Sequence, residues 1–110
     1  VYKRQEQLSA EGVESSVIDV ATLKPLDMTT ILQALQVSGR AVIVHEAART
    51  AGFGAEIAAR IAAEGLFELR APVLRVTGYD TVMPLPRLEH LYLPSVARIL
   101  DACRATLAYD

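Results

Sequence analysis

The sequence is poor in residues that would commit it to several common functions. It has one cysteine, Cys103, no tryptophan and an aromatic content of only 5%. A single cysteine excludes an internal disulfide, and this usage is typical of a reducing cytosol or organelle matrix. Because Cys103 lies on an apolar stripe of the last predicted helix, we interpret it as a core residue.

The sequence also lacks an excess of charge and any long hydrophobic run. It carries 11 basic and 13 acidic residues, so its net charge is −2. This balance gives no electrostatic footprint for nucleic acid and no polybasic patch for a membrane surface. Its apolar runs, such as residues 41–44, are far shorter than the roughly 20 residues that cross a bilayer. We therefore expect no nucleic-acid and no membrane partner.

The hydrophobic residues of the sequence are numerous enough to form one core. Its 110 residues, 52% of them hydrophobic, match the size of one compact domain covering residues 1–110. The chain opens at Val1 rather than at a methionine. We read this as a hint that the domain is a fragment of a longer protein.

Hydrophobic periodicity predicts alternating helices and strands. Helices are expected at 1–12, from a cap at Asp27 or Thr29 to 38, at 52–69, and from about Pro94 onward. Strands are expected at 13–20, 40–45 and 73–77, and a proline-punctuated loop is expected at 79–94. This order is typical of a layered α/β domain with mostly parallel strands. Three strands make a thin sheet, so the pattern predicts that a further strand precedes residue 1.

Candidate functional residues gather where the strand over 40–45 ends. His45 and Glu46 lie at its carboxyl end, the position where sites collect in open α/β sheets. Gly52 and Gly54 follow at the start of a helix, where free amides can bind an anion. The structural alternative for His45 is a hydrogen bond that joins the loop to the sheet. For the two glycines it is a tight strand-to-helix turn with close helix packing. No phosphate loop, dinucleotide fingerprint or metal-ligand spacing accompanies these residues, and His90 beside Glu89 adds none.

Four stretches carry a resemblance to a known family. They are "VIDVATLKPLD", "VIVHEAARTAGFGAEIAARI", "APVLRVTGYDTVMP" and "LPSVARIL". In order and spacing, from about residue 8 to the end, they resemble the transketolase C-terminal domain. They are most similar to that domain in the beta subunit of the thiamine diphosphate-dependent decarboxylase component of 2-oxoacid dehydrogenase complexes. "HEA" at His45–Ala47 and "GYDT" at Gly78–Thr81 are more like the branched-chain type than the pyruvate type.

The resemblance implies a fold and a role for this domain. It implies a three-layer α/β/α fold around a five-stranded, mixed but mostly parallel sheet, here lacking the first strand. Thiamine diphosphate and magnesium belong to other parts of the whole enzyme, so this domain is expected to hold no catalytic, cofactor or metal residue and to be inactive alone. The whole enzyme decarboxylates a 2-oxo acid and acylates lipoyl, in the cytoplasm of a bacterium or in the mitochondrial matrix of a eukaryote.

The implied task of this domain is assembly with partner chains. Those partners are the alpha subunit, the second beta subunit of a heterotetramer, and the small basic subunit-binding domain of the lipoate acyltransferase. Carboxylates that suit a basic partner are Glu68, Asp101 and Asp110, while Arg70 reverses a charge in that region. The same resemblance makes the loop that contains His45, Glu46 and Arg49 a subunit or inter-domain contact.

Two other interpretations of the function remain open. One is a stand-alone flavodoxin-like module that binds an anion at residues 51–54. The other is the tail of a transketolase or of a deoxyxylulose phosphate synthase. Ligand affinity of the isolated chain separates the first of these from an assembly domain.

Overall fold

A computed structural model describes residues 2–109, and its side chains from residue 5. In chain order the elements are α1 (Tyr2–Ala10), α2 (Met28–Ser38), β1 (Val42–Val44), α3 (Phe53–Glu64), a 3₁₀ turn (Leu66–Glu68), β2 (Leu74–Val76), α4 (Glu89–Tyr92) and α5 (Val96–Leu107). Within this range, every helix is too short or too polar to cross a membrane.

The two strands form a parallel pair at the centre of the domain. Val42 lies opposite Leu74, and Val44 lies opposite Val76. The ladder extends past β1, since the His45 amide donates to the Val76 carbonyl at 3.2 Å. The predicted α/β class and the parallel pairing are therefore confirmed, although both strands are shorter than the apolar runs indicated.

The strand predicted over residues 13–20 is wrong. This segment is irregular and joins no ladder, and Val17 and Ile18 are each 38% exposed. A β-branched run becomes a strand only where a neighbour takes its backbone hydrogen bonds. Between residues 2 and 109 the sheet has two strands, both parallel, so the wider mixed sheet with an antiparallel strand is not formed by this part of the chain.

Helices cover both faces of the strand pair. On one face, Met28 and Leu35 of α2 and Ile57 and Ile61 of α3 form a buried cluster against which Ile43 packs. The helix α5 contacts both strands, and its buried side chains lie outside that cluster. Side chains alternate between the faces of a strand, so α5 covers the other face. The predicted three layers are thus present around a narrow sheet.

Local signals set the helix ends. Asp27 caps α2, accepting from the Thr30 amide at 3.1 Å, and Gly39 ends the helix in the left-handed conformation at φ 67°. Both ends were predicted. The start of α5 is corrected: Pro94 lies before the helix, and the cap is Ser95, whose Oγ accepts from the Arg98 amide at 3.2 Å. The helix predicted over 52–69 is divided, because α3 ends at Glu64 and a 3₁₀ turn follows at Leu66–Glu68. The predicted loop at 79–94 also contains the short helix α4.

Candidate functional site

The two loops that leave the carboxyl ends of β1 and β2 lie side by side. The Gly78 amide donates to the Ala47 carbonyl at 3.0 Å. Farther along, the Thr50 amide donates to Asp80 Oδ1 at 2.8 Å and the Thr50 hydroxyl donates to Oδ2 at 2.6 Å. These bonds join residues 45–52 to residues 77–81. Asp80, which sequence reasoning did not single out, is therefore the residue that couples the two loops.

Hydrogen bonding fixes the charge state of Asp80. The hydroxyl and the amide of Thr50 hold the pKa of the Asp80 carboxyl below its ordinary value of 3.8, and the nearby Arg49 acts in the same direction. A carboxylate that accepts such bonds is stabilised in its ionised form. Asp80 is accordingly an acceptor that positions a loop, and it is poorly suited to act as a general acid.

His45 packs its ring against the beginning of α3. A Cβ on Gly54 would run into the ring Cδ2 and Nε2, and a Cβ on Gly52 would lie 2.7 Å from Cε1. The two glycines therefore make the space in which the imidazole lies. This close helix packing is the structural alternative to anion binding, and it explains why both positions are occupied by glycine.

The His45 ring has no hydrogen-bond partner in the part of the chain that the structure describes. Nδ1 and Nε2 are both buried and unpartnered, although the residue as a whole is only half-buried. Burial lowers the pKa of His45 below its ordinary value of 6.5, and the neighbouring Arg75 lowers it further. The imidazole is thus held neutral, and the expected hydrogen bond from it to the loop is not formed.

Two arginines fasten the same loop to β2. Arg75 Nη1 donates to the Arg49 carbonyl at 2.9 Å, and Arg49 Nη1 donates to the Arg75 carbonyl at 3.4 Å. Arg49 was predicted as a contact residue, and it lies exposed beside the equally exposed Glu46. Each guanidinium therefore already binds backbone within the domain.

A third arginine holds the loop after β2 from the side of α5. Arg98 Nη2 donates to the carbonyl of the buried Thr77 at 2.7 Å, and its guanidinium lies 4.7 Å from the centre of the Tyr79 ring. Tyr79 meets Tyr92 edge to face with ring centres 6.2 Å apart. Arg98 was not predicted, because the sequence gives no local sign of which carbonyl it reaches.

The beginning of α3 offers little to an anion. The shallow, open depression there is lined by Ala51, Gly52, Phe53, Ala55 and Glu56. The single charged residue in this lining is acidic, and the Ala55 amide already donates to the Gly52 carbonyl at 2.9 Å. This composition favours a strand-to-helix junction over an anion cradle.

The docking candidates lie on two different elements. Glu68 is exposed in the 3₁₀ turn, close to Arg70, whose amide donates to the Gly39 carbonyl at 2.7 Å. Asp101 lies on α5, 3.6 Å from Arg104, which in turn pairs with Glu11 at 2.6 Å. Among residues 2–109, no hydrogen bond or ion pair links Asp101 to Glu68 or Arg70. Asp110 lies outside the described residues.

The described residues assemble no catalytic or metal-binding constellation of a known kind. Between residues 2 and 109 there is no group of three histidine, cysteine, aspartate or glutamate side chains placed to hold a metal ion. Cys103 is half-buried, and burial raises the pKa of its thiol above the ordinary value of 9.0. A thiol in that state is a weak nucleophile, consistent with its interpretation as a packing residue.

Comparisons with known proteins agree on one family. The model of the family "Transketolase, C-terminal domain" matches residues 1–99. The pyruvate dehydrogenase E1 component subunit beta of Staphylococcus epidermidis is 38% identical over 97% of this chain and 33% of its own length. The 3-methyl-2-oxobutanoate dehydrogenase subunit beta of Mycobacterium tuberculosis is 48% identical over 83% of this chain and 26% of its own length.

A solved structure agrees with the fold. The chain described as "split gene transketolase, inactive beta4 tetramer" superposes with a TM-score of 0.82 at 24% identity, over 98% of this chain and 34% of that one. The present chain therefore spans about a third or less of the length of the proteins that it matches.

Proposed function

The chain belongs to the transketolase C-terminal domain family, and we propose that it is the assembly domain of the beta subunit of a 2-oxoacid dehydrogenase. The observation that carries the proposal is 36–48% identity to such beta subunits over most of the chain. The polar side chains at the strand ends support it, because Asp80, Arg49 and Arg75 already bind groups within the domain. The whole enzyme then decarboxylates a 2-oxo acid in the bacterial cytoplasm.

The substrate that we propose for the whole enzyme is a branched-chain 2-oxo acid. The relative named for 3-methyl-2-oxobutanoate is 48% identical to this chain, against 38% for the pyruvate relative from Staphylococcus epidermidis. The "HEA" and "GYDT" motifs favour the same class. Because the substrate pocket is expected outside this domain, its identity needs an activity measurement.

Thiamine diphosphate and magnesium are proposed to act in the whole enzyme without a ligand from this domain. The donor set here does not fit a metal-bound diphosphate, which needs clustered oxygen ligands for the cation. The depression at the beginning of α3 is lined by Glu56, an anion that repels a diphosphate. We therefore expect no detectable binding when the 110-residue chain is titrated with thiamine diphosphate and magnesium.

A chimera tests the assembly role. The segment of the Mycobacterium tuberculosis beta subunit that matches this chain is replaced by the chain and produced together with the alpha subunit. The chimera is expected to co-purify with the alpha subunit and to decarboxylate 3-methyl-2-oxobutanoate faster than pyruvate. A beta subunit with the segment deleted is the control. A folded chimera that fails to bind the alpha subunit would contradict the proposal, and thiamine diphosphate binding by the free chain would favour the anion-binding alternative.

Docking of a basic subunit-binding domain is a finer part of the proposal. Glu68 supplies a negative charge to its surface and Arg70 a positive one, so the acidic docking mode is weakened there. We expect Arg70→Glu to tighten binding of that basic domain and Glu68→Gln to weaken it, as measured by titration at low and high salt. If Arg70→Glu leaves the affinity unchanged, the partner docks elsewhere, and Asp101 on α5 becomes the position to test.

A further inference from the structure

The ring of His45 lies where a positive charge is poorly tolerated. Both ring nitrogens are buried, and neither has a hydrogen-bond partner among the residues that the structure describes. The ring packs against Gly52 and Gly54, at the N-terminal end of α3, where a helix carries a partial positive charge. Arg75 on β2 adds a full positive charge nearby. The imidazole therefore fits this place in its neutral form and not as a cation.

The carboxylates around the ring do not offset these positive charges. Glu46 follows His45 in the loop, and Glu56 lies in the first turn of α3; both are exposed, and neither bonds to the ring nitrogens. Asp80, on the loop after β2, is bound by Thr50. The pKa of Asp80 is held below its ordinary value of 3.8. Asp80 therefore keeps its charge over the whole pH range in which a histidine titrates.

The loop over residues 45–52 is fastened by the same arginine that lies near the ring. Arg75 Nη1 donates to the Arg49 carbonyl at 2.9 Å, and this bond holds the loop to β2. In the same loop, Ala51 has a φ of 57°, a left-handed conformation that is unfavourable for a residue with a Cβ. A charge that repels the guanidinium therefore acts on a loop whose release also relaxes a strained residue.

We propose that residues 45–52 form a pH-sensitive latch, which is closed while His45 is neutral and opens when His45 takes up a proton. Protonation makes the ring a buried cation beside Arg75, so the ring leaves its place at α3 and the loop separates from residues 77–81. The same loop is predicted to contact partner chains, so acid weakens that contact. This last consequence rests on the assembly role proposed above, whereas the latch itself does not.

Amide hydrogen exchange of the 110-residue chain tests the latch. The amides of Thr50 and Gly78 report its opening, because they bond across the two loops to Asp80 and Ala47. After correction for intrinsic exchange rates, their protection is expected to be constant above pH 6.5. Below that pH it is expected to fall by up to about tenfold per pH unit, until the pKa of the closed state is reached. The Gly39 amide, which is bonded within α2 before the other end of β1, is the reference and keeps its protection.

Variants and a direct titration identify the group that takes up the proton. His45→Gln is neutral at every pH and is expected to remove the pH dependence at both loop amides, whereas His90→Gln changes an exposed histidine and is expected to match the wild type. In the wild-type chain, NMR titration of the His45 Cε1 proton gives the pH range of the change without any variant. The latch is overturned by loop amides whose protection stays constant while His45 titrates, by a fall that His45→Gln retains, or by an equal fall at Gly39. None of these outcomes depends on whether the chimera binds the alpha subunit.

Discussion

The carboxyl edge of the sheet and residues 82–91, which we call the apolar strap, are neighbours along the chain, yet their side chains differ in how many partners they find within the domain. At the carboxyl edge, Asp80, Arg75 and Arg98 each bind a backbone or side-chain group of another segment. In the strap, the leucines have little apolar surface of the same chain against them. A polar edge that is internally bonded and an apolar segment that is exposed are both compatible with the proposed assembly role.

The difference also bears on how the polar groups of the carboxyl edge are used. Sites in α/β folds use strand ends because loops there present free polar groups. Here the carboxylate of Asp80 accepts from Thr50, and the imidazole of His45 is buried and neutral. The carboxylate is therefore committed to holding two loops together, and the imidazole fills the space that Gly52 and Gly54 leave beside it.

The largest effect is expected from a methyl group added inside the carboxyl edge. In Gly78→Ala, the new Cβ would lie 2.5 Å from the Glu46 carbonyl oxygen and from Tyr92 Cε1. Because a backbone oxygen cannot move aside cheaply, we expect a loss of about 3 kcal/mol in the free energy of unfolding. Chemical denaturation measures it.

The control for that substitution is Gly12→Ala. This glycine has nothing within 4 Å of an added Cβ but adopts φ +79°. Gly12→Ala is therefore expected to lower the free energy of unfolding by about 1 kcal/mol, through backbone strain alone. If the two variants lose equal stability, the two loops are not packed at Gly78 as described, and the contrast with the strap weakens.

Sequence reasoning succeeded where the signal is local. Asp27 and Gly39 mark the ends of α2 because a cap and a left-handed glycine act on their own helix. The strand-to-helix junction around Gly52 and Gly54 was likewise predicted from a short stretch, whereas the hydrogen bond expected from His45 is not formed. The strand assigned to residues 13–20 failed because its β-branched residues favour a strand, while its ladder depends on a neighbour that no local pattern reveals.

The remaining part of the site depends on contacts between distant residues. Thr50 and Asp80 are 30 residues apart, and Thr77 and Arg98 are 21 apart. Their residue types are common in loops and helices, so nothing in either segment indicates the pairing. The apolar strap was predicted only as a proline-punctuated loop, because exposure depends on what the rest of the chain covers.

The second-largest effect is expected at Arg98. Arg98→Met keeps most of the aliphatic stem but loses the bond to the Thr77 carbonyl and the contact with the Tyr79 ring, so we expect a loss of about 2 kcal/mol in the free energy of unfolding. Arg60→Met is the matched control, since Arg60 makes one exposed helical ion pair with Glu64 and its loss costs under about 0.5 kcal/mol. Equal costs for the two variants would mean that Arg98 does not fasten the loop after β2.

A smaller and pH-dependent effect is expected at His45. Its pKa is lowered in the folded state, so the unfolded chain binds more protons as the pH falls below 6.5. The contribution of His45 to the free energy of unfolding is therefore fully present above pH 6.5. It is lost as the pH falls through the pKa of the folded state. His45→Gln is expected to flatten the dependence of the unfolding free energy on pH in this window. His90→Gln changes an exposed histidine and serves as the control; a variant at His45 with an unchanged slope would contradict the buried, neutral ring.

The smallest effect on stability is expected in the strap. Leu85 is 81% exposed, so Leu85→Ser removes almost no buried surface, and we expect the free energy of unfolding to change by less than about 0.5 kcal/mol. Chemical denaturation measures it. A large loss of stability would show that Leu85 packs within its own chain, and the contrast between the strap and the carboxyl edge would then disappear.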